Sequence, residues 1–241
     1  GYAEANPKSD LNGEDVAAKL KILSSLCFNS LLCHKIHVEG VSSIEKIDID
    51  NANKLGFKIK LLGFSEIINE KICQRVHPTM IKRKSHIASI DGVLNAVIVD
   101  GTPVGRSIIQ GEGAGPEATT SALISDISSI SRGNIKFPFS ISSTERKKLK
   151  DLSIFDMSFS AYMRFEVLDK PGVLSNITSV FSTYNVSIKR LIQNPDKSKK
   201  HSSIVIITHK SKDKFLNKVL KTVEKKSYIT KKPKLIRING N

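Results

Sequence analysis

The chain has 241 residues, 39% hydrophobic and 25% charged, with a net charge of +15, which is apolar enough for a packed core and excludes wholesale disorder. That length accommodates one large domain or two ordinary ones. No apolar run reaches the ~18 residues of a membrane span. With no such run no membrane partner is expected; three cysteines, Cys27, Cys33 and Cys73, are odd in number and do not read as a disulfide framework, so a cytoplasmic location is expected.

The chain opens GYAEANPKSDLNGEDVAAKL, starting at Gly1 rather than Met and without a charged-then-apolar leader, so it is expected to begin partway through a larger protein. Asn12 is a suitable helix N-cap, and Glu14 and Asp15 put negative charge in the first turn, where the backbone dipole favours it. Val16, Ala17, Leu20, Leu23 and Leu26–Cys27 recur at three- and four-residue steps. They predict one buried stripe on a helix ending near Ser30. Cys33, His34 and His37 are metal-ligating types without a second paired motif, and no metal is assigned to them. DIDNANKLG (48–56) predicts a short capped helix stopped by Gly56.

Residues 57–81 predict two strands turning around Asn69–Glu70. NAVIVDGTPVGRSIIQG predicts a second hairpin with Asp100–Gly101 at its turn. GEGAGPEATTSALISDISSISRG predicts a glycine-rich bend and then a helix with Leu123, Ile127 and Ile130 on one face, stopped by Gly133. Residues 134–160, with Pro138, six serines and a charge run, read as a linker. From Ala161 the order is strand, helix, strand, strand, helix, strand, the split βαβ or ferredoxin-like arrangement. The fold class is therefore α+β. A mixed or antiparallel sheet with helices on one face is expected over 1–133, and a βαββαβ domain over 161–241.

Residues 145–241 carry 22 basic against 8 acidic side chains, a charge that can attract nucleic acid. The lysines are scattered over predicted helix faces and loops, without aromatic interleaving and without any Trp. No nucleic-acid partner is expected.

Three stretches carry candidate chemistry. Asp15 and Lys19, at i and i+4, project from one side of a helix. They are either an ordinary surface pair, worth roughly 0.2–0.5 kcal/mol, or part of a site. Glu4 joins them only if the preceding loop folds back over the helix start, because Pro7 and Asn12–Gly13 interrupt helical spacing. Two carboxylates would then suit a substrate ammonium, and a lysine can protonate a carbonyl oxygen as it gathers charge. Together they fit a small amino acid with a reducible carbonyl. GEGAG (111–115) ahead of a helix is either a tight turn or a place where backbone N–H groups meet an anion. It is not a dinucleotide fingerprint, because Pro116 stands where the third glycine is needed. LDKPGVLSNI (168–177) is either plain helix initiation around Pro171 or a turn whose bare amides hold a small ligand's carboxylate.

Taken together, these stretches resemble the homoserine dehydrogenases that carry a C-terminal ACT regulatory domain. GYAE followed by D-x-x-G-x-D-x-x-x-K (Asp10, Gly13, Asp15, Lys19) looks like the family's catalytic signature. GEGAGPEATTSALISDI resembles its later G-x-GAG-x-x-P-T-A-S-A segment, and AYMRFEVLDKPGVLSNITSVFSTYNVSI the opening of an ACT domain. Asn6 departs from the usual Asp, and Ala118 and Thr120 replace a Pro and an Ala. The resemblance spans essentially the whole chain. It implies Lys19 as general acid towards aspartate semialdehyde, or base towards homoserine. Glu4 and Asp15 would hold the substrate's amino group and Asp10 would support Lys19. Gly1, Glu4 and the Gly111–Gly113 bend would lie against NADP or NAD.

The same resemblance implies threonine, methionine and isoleucine biosynthesis and a homo-oligomer pairing through the 57–81 and 95–110 strands. It also implies an amino-acid effector, with threonine the candidate, at Asp169, Gly172, Val173 and Leu174. The family's Rossmann domain, a second lysine and a monovalent-metal site lie upstream of these motifs, so the chain alone is expected to be inactive. Its helix at 118–131 is expected to bare Leu123, Ile127 and Ile130. The competing reading is an amino-acid-sensing ACT protein in which residues 1–133 only dimerise.

Overall fold

Residues 57–82 build the spine of the molecule. In this computed structural model, which describes residues 8–31, 34–134, 139, 141–195 and 200–239, strands β2 (Phe57–Ile68) and β3 (Lys71–Lys82) pair along their whole length. Asn69 and Glu70, with φ of 47° and 61°, form the expected turn; two left-handed residues match the twist of a tight hairpin. The other edge of β3 is shared end to end by three short strands in parallel. β6 (Lys150–Asp151) meets Lys71–Ile72, β1 (Ile36–Val38) meets Gln74–Val76, and β11 (Lys234–Asn239) meets Thr79–Ile81.

Through β11 the sheet continues into the C-terminal half. β11 pairs antiparallel with β7 (Ser158–Leu168), β7 with β9 (His201–Thr208), and β9 with β8 (Ile188–Pro195). A two-residue β10 (Ser211–Lys212) closes on the start of β7. Helices α5 (Val173–Thr183) and α6 (Asp213–Glu224) supply the connections of the expected βαββαβ order. They bury Val173, Ile177, Phe181, Leu216, Val219 and Val223 against Ala161, Met163 and Phe165 on one sheet face. The opposite face packs Met80, Tyr162 and Ile236 against Ala52 of α3 (Lys46–Lys54). Glu45 and Asp48 form a reciprocal capping box at the start of α3, which begins two residues before the predicted stretch.

Helix α2 (Glu14–Phe28) lies where a helix was expected, and α1 (Lys8–Asn12) is a further short helix where the chain was read as extended or turned. Asn12 closes α1 instead of capping α2. The cap is Gly13, at φ 82° and with no side-chain cap bond, because close packing on the sheet leaves no room there for a side chain. Leu26 and Cys27 face outward and Ser24 and Ser25 are buried, so the predicted stripe holds only through its first half. A second, separate sheet is formed by β4 (Leu94–Gly101) and β5 (Gly105–Glu112). Its turn is Thr102–Val104 and not Asp100–Gly101. Arg106 bonds Asp100 bidentately, at 2.7 and 3.0 Å, across the paired strands and extends the ladder to Gly101–Gly105. After it comes α4 (Pro116–Ser131), which buries no residue and leaves Leu123, Ile124, Ile127 and Ile130 exposed. Among the described residues no helix is long and apolar enough to cross a membrane.

Candidate functional site

Three glycines seat the α1–α2 segment on the sheet. A Cβ on Gly13 would stand 3.1 Å from Val76 Cγ1 and 3.3 Å from Val38 Cγ1. A Cβ on Gly63, in β2, would meet Val16 at 3.1 Å and Leu20 at 3.4 Å, and a Cβ on Gly40 would fall 2.4 Å from the Leu11 carbonyl oxygen. The missing side chains let α2 lie directly on β2 and β3 and let the loop after β1 touch the backbone of α1. Val41 N–H donates to the same Leu11 oxygen at 2.8 Å.

On this seat the structure brings Asp15 and Lys19 together. Lys19 Nζ lies 2.8 Å from Asp15 Oδ2, with the two side chains 58% and 40% exposed. An exposed pair adds little to stability, and both charged groups are open to an incoming molecule. Asp10 is exposed on α1, just before the Gly13 cap. Gly1 and Glu4 lie outside the described residues, so their expected approach to the pair does not enter the geometry.

The 111–115 bend joins β5 to α4. Gly113 N–H is already donated to the Val93 carbonyl. Asn95 Nδ2 stands 1.4 Å from where a Gly113 Cβ would be, which explains the glycine by internal packing. Glu117 adds a carboxylate to the first turn of α4, where an anion would need the helix dipole for itself. Gly111, by contrast, has open space around it.

In the C-terminal half, Gly172 caps α5 at φ 85°. Asp169, Gly172, Val173 and Leu174, all singled out from the sequence, line one cavity of about 440 Å³ together with Gln193 and Ile204. A second cavity, of about 320 Å³, opens between Asn12, Glu39, Gly40, Pro78 and Leu235, where the two halves meet.

Sequence reasoning missed the charged groups of that seam. Arg164 Nε donates to Asp48 Oδ1 at 2.7 Å, and its two terminal nitrogens reach Glu166 at 2.8 Å and Glu45 at 2.9 Å. Tyr162 Oη also donates to Asp48, at 3.1 Å, and accepts from Asn51 at 3.0 Å. Arg237 Nε donates to Asp213 Oδ1 at 2.7 Å, while Nη1 and Nη2 reach Glu39 at 2.8 and 3.0 Å. Burial opposes both guanidinium charges, but the facing carboxylates outweigh it and hold both pKa values above the ordinary range. Burial likewise works against the Glu39 charge, yet hydrogen bonds from His37 and Arg237 win and bring its pKa down to about 2. The available signal was an arginine inside the otherwise apolar strands YMRFEV and LIRIN, where a buried cation demands a partner. His34 and His37 go to different carboxylates, Asp151 at 2.9 Å and Glu39 at 2.6 Å.

Comparison with known proteins bears on both halves. The family described as homoserine dehydrogenase matches residues 1–128, and that described as AHAS small subunit-like ACT domain matches residues 163–231. The chain is 35% identical over 241 residues to a homoserine dehydrogenase of Helicobacter pylori and 34% identical over 247 residues to one of Neisseria gonorrhoeae. All of the chain is covered in both cases, and the chain spans 57% of the length of each relative. Among solved structures, a homoserine dehydrogenase from Thiobacillus denitrificans superposes with a TM-score of 0.89 at 31% identity, covering 98% of this chain and 55% of that one. One from S. aureus at pH 7.0 superposes with a TM-score of 0.66 at 26% identity, covering 99% of this chain and 56% of that one.

Proposed function

This chain belongs to the homoserine dehydrogenase family, and on that footing we propose that it supplies the substrate-handling groups and an amino-acid-sensing module. The activity is the interconversion of L-homoserine and L-aspartate 4-semialdehyde, a cytoplasmic step of threonine, methionine and isoleucine biosynthesis. The observation that carries the reading is the Asp15–Lys19 pair, 2.8 Å apart and open to solvent on a helix seated by glycines. Lys19 donates a proton to the aldehyde oxygen as that oxygen becomes an alkoxide, and takes it from the homoserine hydroxyl in reverse. Asp15, with Glu4, accepts the substrate's ammonium group, and Asp10 supports the lysine. The redox partner is a nicotinamide nucleotide, NADP or NAD. Its proposed approach is along Gly111, which has open space around it.

The cavity at Asp169–Leu174 suits the carboxylate and small side chain of an effector such as threonine, and the protein acts as a homo-oligomer. The test is Lys19→Ala in the protein purified at its full encoded length. Turnover of homoserine should fall by orders of magnitude while nucleotide affinity barely changes. Unaltered turnover would defeat the assignment and favour the competing view of a purely sensing ACT protein.

A further inference from the structure

What fixes the direction in which α2 presents Asp15 and Lys19? Its own cap is a glycine without a side-chain bond, and among the described residues the ion pair on it is the exposed one between Asp15 and Lys19. Besides the packing of α2 on β2 and β3, the α1–α2 junction is held from below, by Gly40 against the Leu11 backbone and by Val41 N–H on the Leu11 oxygen. Residues 39–48, to which Gly40 and Val41 belong, are in turn tied at three points to the C-terminal half. Arg237 of β11 grips Glu39, Lys234 of β11 donates to the Ser43 carbonyl, and Arg164 of β7 grips Glu45 and Asp48. Each arginine already owns one fully buried carboxylate, Asp213 or Asp48. Glu39 and Glu45, 39% and 49% exposed, are therefore surplus to charge neutralisation. What they add is a tether on the loop.

We infer that Glu39 is a positioning residue for the Asp15–Lys19 pair, through which Arg237 of the ACT half fixes the seat of α1 and α2. The inference rests on the reading of Asp15 and Lys19 as site groups. A carboxylate that holds a loop holding a helix acts on the geometry of the reacting groups, and misplacement by about 1 Å suffices to slow chemistry a hundredfold.

The test compares the parent, Glu39→Gln and Glu39→Asp in the full-length protein by steady-state kinetics and amide hydrogen exchange. Glu39→Gln keeps size and loses the charge. Its kcat for homoserine should fall about ten- to a hundredfold with nucleotide KM within about twofold. Exchange over residues 11–20 should accelerate at least about tenfold while α5 stays as in the parent. Glu39→Asp, which retains the charge, should restore both readouts to within about threefold of the parent. Unchanged exchange over 11–20 in Glu39→Gln would overturn the inference, as would faster exchange with an unchanged kcat. If the parent itself fails to oxidise homoserine, the dehydrogenase reading falls separately, and exchange over 11–20 alone upholds or overturns the tether.

Discussion

His77 is buried at 1% exposure, stacked on Phe64 at 5.4 Å and edge-on to Phe159 at 6.2 Å. Burial, and after it the charge of Arg237, push its pKa down to about 3 from an ordinary 6.5. An unfolded chain takes up this proton below pH 6.5, and the folded one only below about 3. The contribution of His77 is thus intact above pH 6.5 and is lost as pH falls through that window, by up to ~1.4 kcal/mol per pH unit. The urea midpoint of His77→Phe should accordingly change less between pH 6.5 and 4 than the parent's. Equal slopes would mean that the folded state protonates His77 normally. Glu39, held at about 2 against 4.5, adds a smaller loss below pH 4.5, reduced because solvent reaches the carboxylate. A second contrast separates chemistry from scaffold. Asp48→Ala takes the fully buried carboxylate from Arg164, which keeps Glu166 and Glu45, and should cost about 1–3 kcal/mol. Asp15→Ala removes an exposed pair and should cost under about 0.5 kcal/mol while abolishing turnover. Denaturation and activity measured on both variants decide it, and the reverse pattern would make Asp15 a structural residue.

At the scale of elements, the glycines explain more than their turns. Gly13 and Gly56 both hold left-handed backbone, φ 82° and 81°, but only Gly13 has neighbours where a Cβ would go. Alanine at either position carries a backbone penalty of about 1 kcal/mol. At Gly13 it must also push back Val76 and Val38, so Gly13→Ala should destabilise by about 1–3 kcal/mol more than Gly56→Ala. Matched urea titrations check the ordering, and equal losses would remove Gly13 as a packing device. Elements with local signatures were readable in advance. The β2–β3 hairpin announces itself by two apolar, β-branched-rich runs on either side of Asn69–Glu70. The second hairpin misleads, because Asp100–Gly101 has turn chemistry while Arg106 recruits Asp100 into the ladder. The half-correct stripe of α2 has a similar cause: Ser25 is buried because its hydroxyl reaches the Ser30 carbonyl, a contact that hydrophobic periodicity does not register.

For the whole molecule the decisive fact is the continuous sheet. β3 and β11 pair in parallel across residues 79–81 and 237–239, and both arginine clusters straddle the same seam. One cooperative unfolding transition is expected, with amide protection in β3 and β9 lost at the same urea concentration. Two separated transitions would show that the halves are energetically independent. The β4–β5 hairpin and α4 stand apart from this unit and contribute no residue to either buried cluster. The face of Leu123, Ile127 and Ile130 on α4 is bare, as the sequence led us to expect, at 58–64% exposure.

Local spacing by itself determined the βαββαβ order, the first hairpin, the family motifs and the placement of Asp15 and Lys19 on one helix face, because each is written within a few residues of chain. Only tertiary structure decided what supports them. Arg164 finds Asp48 across 116 residues and Arg237 finds Glu39 across 198. Such partners leave no periodic trace, since the free energy of a buried ion pair depends on where the chain returns in space and not on how far apart its members stand in sequence.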